Sequence, residues 1–456
     1  MYTMSFIRKI KRGNAIYLAE VENIRKDGKI IQKHIRYVGK EIEGKAVKKV
    51  SSNAIKVKHV KRSLDILAIK QIASEIGISE IKNKHFLALI YSQLLENRSL
   101  NKLENWIRFT EIPDVIDLKQ ISTKELYESL SDMTDDDFQQ LNSKMNEIFQ
   151  QYETDKTTAV IDVTDTYFEG TNKNIKRRRG KDGKIKKLLQ IGMAVSFNNG
   201  FPLFFKKYQG NLSNIQIFKD MALEIKNKGL NAVIVDRGMT SPENLKMILS
   251  LDMKIIAGLK KTDTLYAEFI SKIKREEIYS ASNLIELKNT NVFAKTFDYS
   301  EGKLIVVYNP ALEVVKNNLR LRRKEEIASD AGYSLIYHNT KNETKEVVKK
   351  YYDKEIIERA FKQMKGALNL RPIRVWLEGH INGHILICYL AYAILALMNY
   401  KLKKQGISAV DALDSLKHGY RVRLEDKTTN HEWDLFVPLE PKQKNILKAL
   451  GVVYKN

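Results

Sequence analysis

Ala159-Val160-Ile161-Asp162 and Ala232-Val233-Ile234-Val235-Asp236 are two runs of β-forming residues, each stopped by an aspartate. Runs of this kind, without polar alternation, predict strands buried on both faces. Each therefore presents a carboxylate at its C-terminal end. Far downstream, Glu358 lies in the basic segment 351–365. Three carboxylates brought together from two strand ends and one helix make an oxygen-rich site for hard divalent cations, as phosphoryl transfer on nucleic acid requires.

Around these runs the pattern predicts strands over 159–163, 191–197 and 203–208, a helix over 215–228, a strand over 232–235, a helix over 242–250 and a strand over 254–257. A β-β-β-α-β-α-β order implies a mixed sheet with helices on its faces. Residues 258–340 read as a β-rich insertion, with strands over 292–297, 304–308 and 334–338 and a charged helix over 312–328. A capping box, Thr340-Lys341-Asn342-Glu343, predicts a helix running to about Ala367, with room for a break. The segment 381–400 is apolar almost all round, which predicts a helix buried in the core. Upstream, 1–62 alternates short β-type runs around an Asp27-Gly28 hairpin signal, and 63–155 shows helical spacing. The expected organisation is a basic β-rich DNA-binding unit at 1–62, a helical unit at 63–155, a core in two parts at 156–257 and 341–402 around the insertion, and a C-terminal region at 403–456 for assembly. The fold class is mixed α+β, with an α/β core.

The 456 residues exceed what one hydrophobic core usually serves. The net charge of +23 implies a polyanionic partner, and its distribution sharpens that. Residues 1–62 hold 17 Lys/Arg against 5 Asp/Glu, whereas 101–157 hold 6 against 13. Genome-wide lysine enrichment would not segregate charge in this way; clustered positive charge for nucleic acid does. The single cysteine, Cys388, excludes disulfides, cysteine zinc fingers and cysteine nucleophiles, and reads as a core residue. No run of 18 apolar residues appears, and Arg8, Lys9, Lys11 and Arg12 stand where a signal peptide would be apolar, so a soluble, cytoplasmic, nucleoid-associated protein with no membrane partner is expected.

On one continuous helix, Tyr351, Lys354, Glu358 and Lys365 share a face with Lys362 beside them, since seven residues return to within about 20° of the same direction. A carboxylate among ammonium groups and a phenol could hold a metal while its neighbours grip phosphates. The plain alternative is a solvated face of i,i+4 pairs. Asp236 could instead cap a helix, but Thr240 or Ser241 is better placed for that. Asp165, three positions from Asp162, would point to the opposite face of an extended strand and is set aside. The stretch 171–187 carries nine Lys/Arg against one Asp, among them Arg177, Arg178 and Arg179, and reads as a loop that neutralises backbone phosphates. His380 and His384 lack metal-ligand company, and His384 reads as structural.

Together these residues resemble the DDE transposases of bacterial insertion sequences, in the branch marked by Tyr-x2-Arg-x3-Glu-x6-Lys. The signature stands here as Tyr351-x2-Lys354-x3-Glu358-x6-Lys365, with lysine for arginine. The resemblance extends to Asp162-Val163-Thr164, Tyr167-Phe168-Glu169, Gly210-Asn211, Asp236-Arg237-Gly238-Met239 and Arg371-Pro372, over roughly 157–400. It implies an RNase H-like core in which Asp162, Asp236 and Glu358 are catalytic and bind two Mg²⁺ or Mn²⁺ ions. It also implies that Tyr351, Lys354 and Lys365 contact phosphates of double-stranded DNA, both transposon ends and target, and that a homodimer forms the synaptic complex. Lysine at 354 keeps the charge but loses the bidentate fork of arginine. The other functions such a chain could have are a DNA-binding protein derived from a transposase and a stand-alone RNase H-like nuclease. The three intact acids argue against the first, and the large N-terminal region argues against the second.

Overall fold

The computed structural model describes residues 5–454 except 14, 27–28, 43–44, 48–53, 97, 171–174, 176, 181–182, 262–263, 272 and 428–429. It divides into two compact units, one of residues 1–61, 420–438 and 454–456, the other of 62–419 and 439–453. In the first unit, β1 (Ser5–Arg12), β2 (Ala15–Lys26), β3 (Lys29–Ile42) and β4 (Lys45–Val47) form an antiparallel sheet in that order. The register Lys26↔Lys29 encloses the two positions of the expected Asp27-Gly28 turn, which lie outside the described residues. β5 (Ile55–Arg62) follows.

The second unit is built on one long sheet. Its strands are β6 (Thr158–Tyr167), β7 (Arg177–Arg179), β8 (Ile185–Ser196), β9 (Pro202–Gln209), β10 (Ala232–Val235), β11 (Lys254–Gly258), β12 (Leu284–Glu286), β13 (Asn291–Tyr299), β14 (Gly302–Tyr308) and β15 (Tyr333–His338). The order is β12-β13-β14-β15-β11-β10-β6-β8-β7, with β9 also paired to β8. Within it, β9-β8-β6-β10-β11 is a three-strand meander followed by two strands parallel to β6, an RNase H-like arrangement. The uninterrupted apolar runs of β6 and β10 are buried on both faces as expected. The strands of the 258–340 insertion do not stand apart: β15 pairs with β11 and carries the sheet onward. The insertion helix is Pro310–Arg322, capped by Asn309, and stops short of the expected 328.

Of the helices between Leu64 and Gln150, those starting at Lys84, Thr123 and Asp135 are capped by Asn83, Ser122 and Thr134, each side chain accepting a backbone N–H three residues on. The apolar segment becomes the helix Glu378–Leu402, almost wholly buried between Ile381 and Met398, with Cys388 inside it. By length and composition this helix could cross a membrane, yet its apolar surface is covered by protein. His384 lies one turn from Cys388, and burial holds its pKa below the ordinary 6.5.

The chain re-enters the first unit near its end, where β16 (Tyr420–Asp426) and β17 (His431–Phe436) complete a second sheet in the order β17-β16-β5. Residues 420–438 thus group with 1–61 rather than with 403–419 and 439–453.

Two local expectations are corrected. The described part of the basic stretch 171–187 is not a loop: Arg177–Arg179 pair with Ile185–Lys187 and lengthen the sheet, since an extended β8 otherwise leaves backbone donors and acceptors unpaired. The helix expected over 340–367 takes the break left open for it and is two helices, Thr344–Asp353 and Glu355–Lys365, joined at Lys354. Ile357 N–H bonds back only three residues, to Lys354 O, so the i,i+4 ladder is interrupted there. The predicted capping threonine, Thr340, meets His338 instead, and Glu343 occupies the N-cap position.

Candidate active site

Parallel pairing sets the first two acids side by side. β10 runs parallel to β6 with Val235 opposite Ile161, so Asp162 and Asp236, one residue beyond each, stand at neighbouring positions on strands roughly 4.8 Å apart. Asp162 Oδ1 accepts the N–H of Val163 at 2.7 Å. Asp236 lies just past its strand in extended backbone and makes no capping bond. The following helix, Pro242–Ser250, is capped by Ser241.

Helix Glu355–Lys365 packs against β6. It buries Ile357, Ala360, Phe361 and Met364, spaced by three and four, which turns Glu358, Lys362 and Lys365 to the edge of the packed face. The outcome is an open recess of about 550 Å³ lined by Asp162, Asp236 and Glu358 and rimmed by Lys362, Lys365 and Arg371. Thr164, two residues after Asp162 and on the same face of β6, lines it too and accepts a hydrogen bond from Lys365 Nζ. Arg371 lies 5.1 Å from the centre of the Tyr167 ring, in a segment docked on the end of β6 through Ile373 N–H to Tyr167 O at 2.7 Å.

The helix break brings Tyr351 and Lys354 to Asp236 itself. Tyr351 Oη donates to Asp236 Oδ1 at 3.3 Å, and Lys354 Nζ is 3.5 Å from the same oxygen. Burial works to raise the Asp236 pKa, but Lys354, the Arg237 backbone N–H and the Arg237 guanidinium outweigh it, and the carboxyl falls below the ordinary 3.8. Burial and the Asp236 charge together push the Tyr351 phenol well up, so it remains a neutral donor. Because the folded-state pKa is depressed, the pair's stabilisation is complete above pH 3.8 and is lost as pH falls through the folded value. A carboxyl chemical-shift titration is expected to place Asp236 below 3.8, with the midpoint moving upward in Lys354→Gln; an unmoved midpoint would show that Lys354 does not set it.

Gly258 makes room for this arrangement. A Cβ there would lie 2.1 Å from Tyr351 Oη and 2.9 Å from its ring carbon. Gly258→Ala is therefore expected to destabilise the protein by about 1–3 kcal/mol, and by less in a Tyr351→Phe background, as a denaturation double-mutant cycle would record. Equal costs in both backgrounds would refute the clash.

Of the sequence-predicted residues, Asp162, Asp236, Glu358, Lys362 and Lys365 line one recess. Tyr351 and Lys354 reach it through Asp236. Arg177, Arg178 and Arg179 are not among its lining residues; Arg178 donates to Gly210 O at 2.5 Å and Leu212 O at 3.3 Å, while Arg177 and Arg179 are exposed. Thr164, Phe361, Gly366 and Arg371 line the recess without having been predicted as site residues, although period-two alternation from Asp162 points to Thr164. Among the described residues no three of His, Cys, Asp and Glu are gathered closely enough to hold a metal ion as they stand. The donor set nevertheless has the right chemistry, with three carboxylates on one recess. Glu358 is exposed, and the contacts of Asp236 with Tyr351 and Lys354 are long, at 3.3 and 3.5 Å, so both side chains have room to turn inward.

Residues 153–394, more than half of the chain, match the family described as "Transposase DDE domain". A comparison with curated proteins returns no match. Among solved structures, one described as "Cryo-EM structure of piggyBac transposase synaptic complex with hairpin DNA" is similar at a TM-score of 0.43 and 11% identity, over 78% of this chain and 76% of that one. With a family match across both strand-end aspartates and the helix that bears Glu358, this chain belongs to the transposases built on a DDE domain.

Proposed function

We propose that the chain is a cut-and-paste transposase of the Tyr-x2-Arg-x3-Glu-x6-Lys branch, binding the terminal inverted repeats of its element, nicking them and joining the freed 3′ ends to target DNA. The observation that carries this reading is the placement of Asp162, Asp236 and Glu358 on one recess whose rim is cationic. Those acids would hold two Mg²⁺ or Mn²⁺ ions, which supply activation of the attacking water or 3′-hydroxyl and stabilisation of the leaving oxygen. Lys362, Lys365 and Arg371 neutralise phosphates on either side of the scissile bond, and Thr164 steadies the Lys365 ammonium. Lys354 and Tyr351 hold Asp236 ionised and oriented. Arg177 and Arg179 extend the phosphate contacts beyond the recess. The protein acts as a homodimer that pairs two DNA ends, in the bacterial cytoplasm.

The test is to incubate the full chain with Mg²⁺ and a duplex carrying the ends of its own element, and to follow nicking and strand transfer. Both products are expected, and only with divalent metal. Tight binding of the ends without any nick would favour the DNA-binding reading instead.

A further inference from the structure

Among the described residues, the pairing of β2 with β3 outruns that of their neighbours. Among the described residues β1 follows β2 only as far as Ser5↔Glu22, and β4 pairs at the far end, from Lys40 to Ile42. β2 and β3 remain paired to Lys26↔Lys29. Between Asn23 and Gln32 the described residues therefore form a two-stranded ribbon.

Register sorts its side chains. Asn23↔Gln32 and Arg25↔Ile30 are opposite pairs two residues apart, so these four side chains share one face, and Ile24↔Ile31 falls on the other. All four are exposed, Ile30 at 70%. Arg8 donates to Gln32 Oε1 at 2.5 Å and orients that amide. Lys29 is exposed on the opposite face, with Ile31, while Lys33 and Arg36 are paired with Glu22 at 3.3 Å and Glu20 at 2.7 Å. An isoleucine left open between two amides and an arginine does nothing for the sheet's own core.

These residue types match the edge chemistry of DNA bases. Asn and Gln pair with adenine, Arg with guanine, and an apolar side chain packs on the thymine methyl. The major groove, about 12 Å wide, admits a two-stranded ribbon. Two residues along a strand span about 7 Å, two base-pair steps. We propose that the paired segments 23–25 and 30–32 enter the major groove and read about three base pairs with Asn23, Arg25, Ile30 and Gln32. The proposal rests on the transposase reading and assigns base recognition to one face of one hairpin.

The full-length chain is used to select from a pool of randomised duplexes. The parent is expected to enrich one motif, and a variant carrying Asn23→Ala, Arg25→Ala and Gln32→Ala to lose roughly tenfold or more of that preference. Its binding to unrelated duplex at low salt should change little. Replacing guanine by 7-deazaguanine in the motif should weaken the parent and leave Arg25→Ala unaffected. Arg25→Lys, which keeps the charge, should relax the guanine preference without altering the salt dependence. The positions are exposed, and circular dichroism checks that each variant stays folded. The proposal is overturned if the triple variant enriches the same motif with the same preference, if the parent enriches none, or if the ribbon is covered by a second copy of the chain in the DNA complex. Failure of metal-dependent nicking by the parent would instead overturn the transposase reading, so the two failures are distinguishable.

Discussion

Asp236→Asn is expected to reduce nicking of an end-bearing duplex by at least about 10³-fold while the protein stays folded. Coordination of reacting phosphoryl oxygens contributes several kcal/mol, and about 4 kcal/mol corresponds to a thousandfold change in rate. The amide is nearly isosteric and keeps contacts with Tyr351 and Lys354, but it removes the charge that completes a three-carboxylate donor set. The Asp236 side chain is 48% exposed, so stability should fall little. Asp162→Asn and Glu358→Gln should act alike, because both line the same recess. Asp165→Asn, altering an acid outside that lining, serves as the control. Nicking by Asp236→Asn at the parent's rate, measured on a gel with Mg²⁺, would sink the three-acid site.

Gly383→Ala should have the largest effect on stability, with no change to the chemistry's donor set. Gly383 sits in the buried helix Glu378–Leu402 where it crosses the segment around Leu130, and a Cβ would lie 2.0 Å from Leu130 O and 2.8 Å from its carbonyl carbon. The obstacle is backbone, so no rotamer change relieves it; the helix or the segment around Leu130 must move. Overpacking of this kind costs typically about 1–3 kcal/mol and sometimes more. Denaturant unfolding of the full chain would show it as a lowered midpoint, and an unchanged midpoint would mean that the contact can open freely. Alanine's better helix propensity, worth about 1 kcal/mol over glycine, works in the opposite direction and makes a net loss the more telling.

The strands of the core were legible because burial on both faces leaves an unbroken apolar run, and the runs at 159–161 and 232–235 fall inside β6 and span β10. The central helix was legible because it is apolar on every side. A break was allowed for, but its place at Lys354 carried no signal: neither proline nor glycine stands there, and the helix parts where Tyr351 engages Asp236 while the next turn buries Ile357. The basic stretch did hold an Asp182-Gly183 pair, the same signal as Asp27-Gly28, but it went unread because Arg177–Arg179 form a strand through backbone pairing with β8 and not through any β-forming side chain.

Residue order and type thus determined which segments are strands and helices, where carboxylates end them, and how charge is divided along the chain, because these follow from local periodicity and composition. Only the tertiary structure decided that Val235 pairs with Ile161, that the insertion extends the core sheet through β15, and that β16 joins β5. Strand partners are chosen by hydrogen bonds and side-chain packing between residues far apart in the chain, and nothing in either strand alone records the choice. The site inherits that dependence, since Asp162 and Asp236 are neighbours only through the register of β6 against β10.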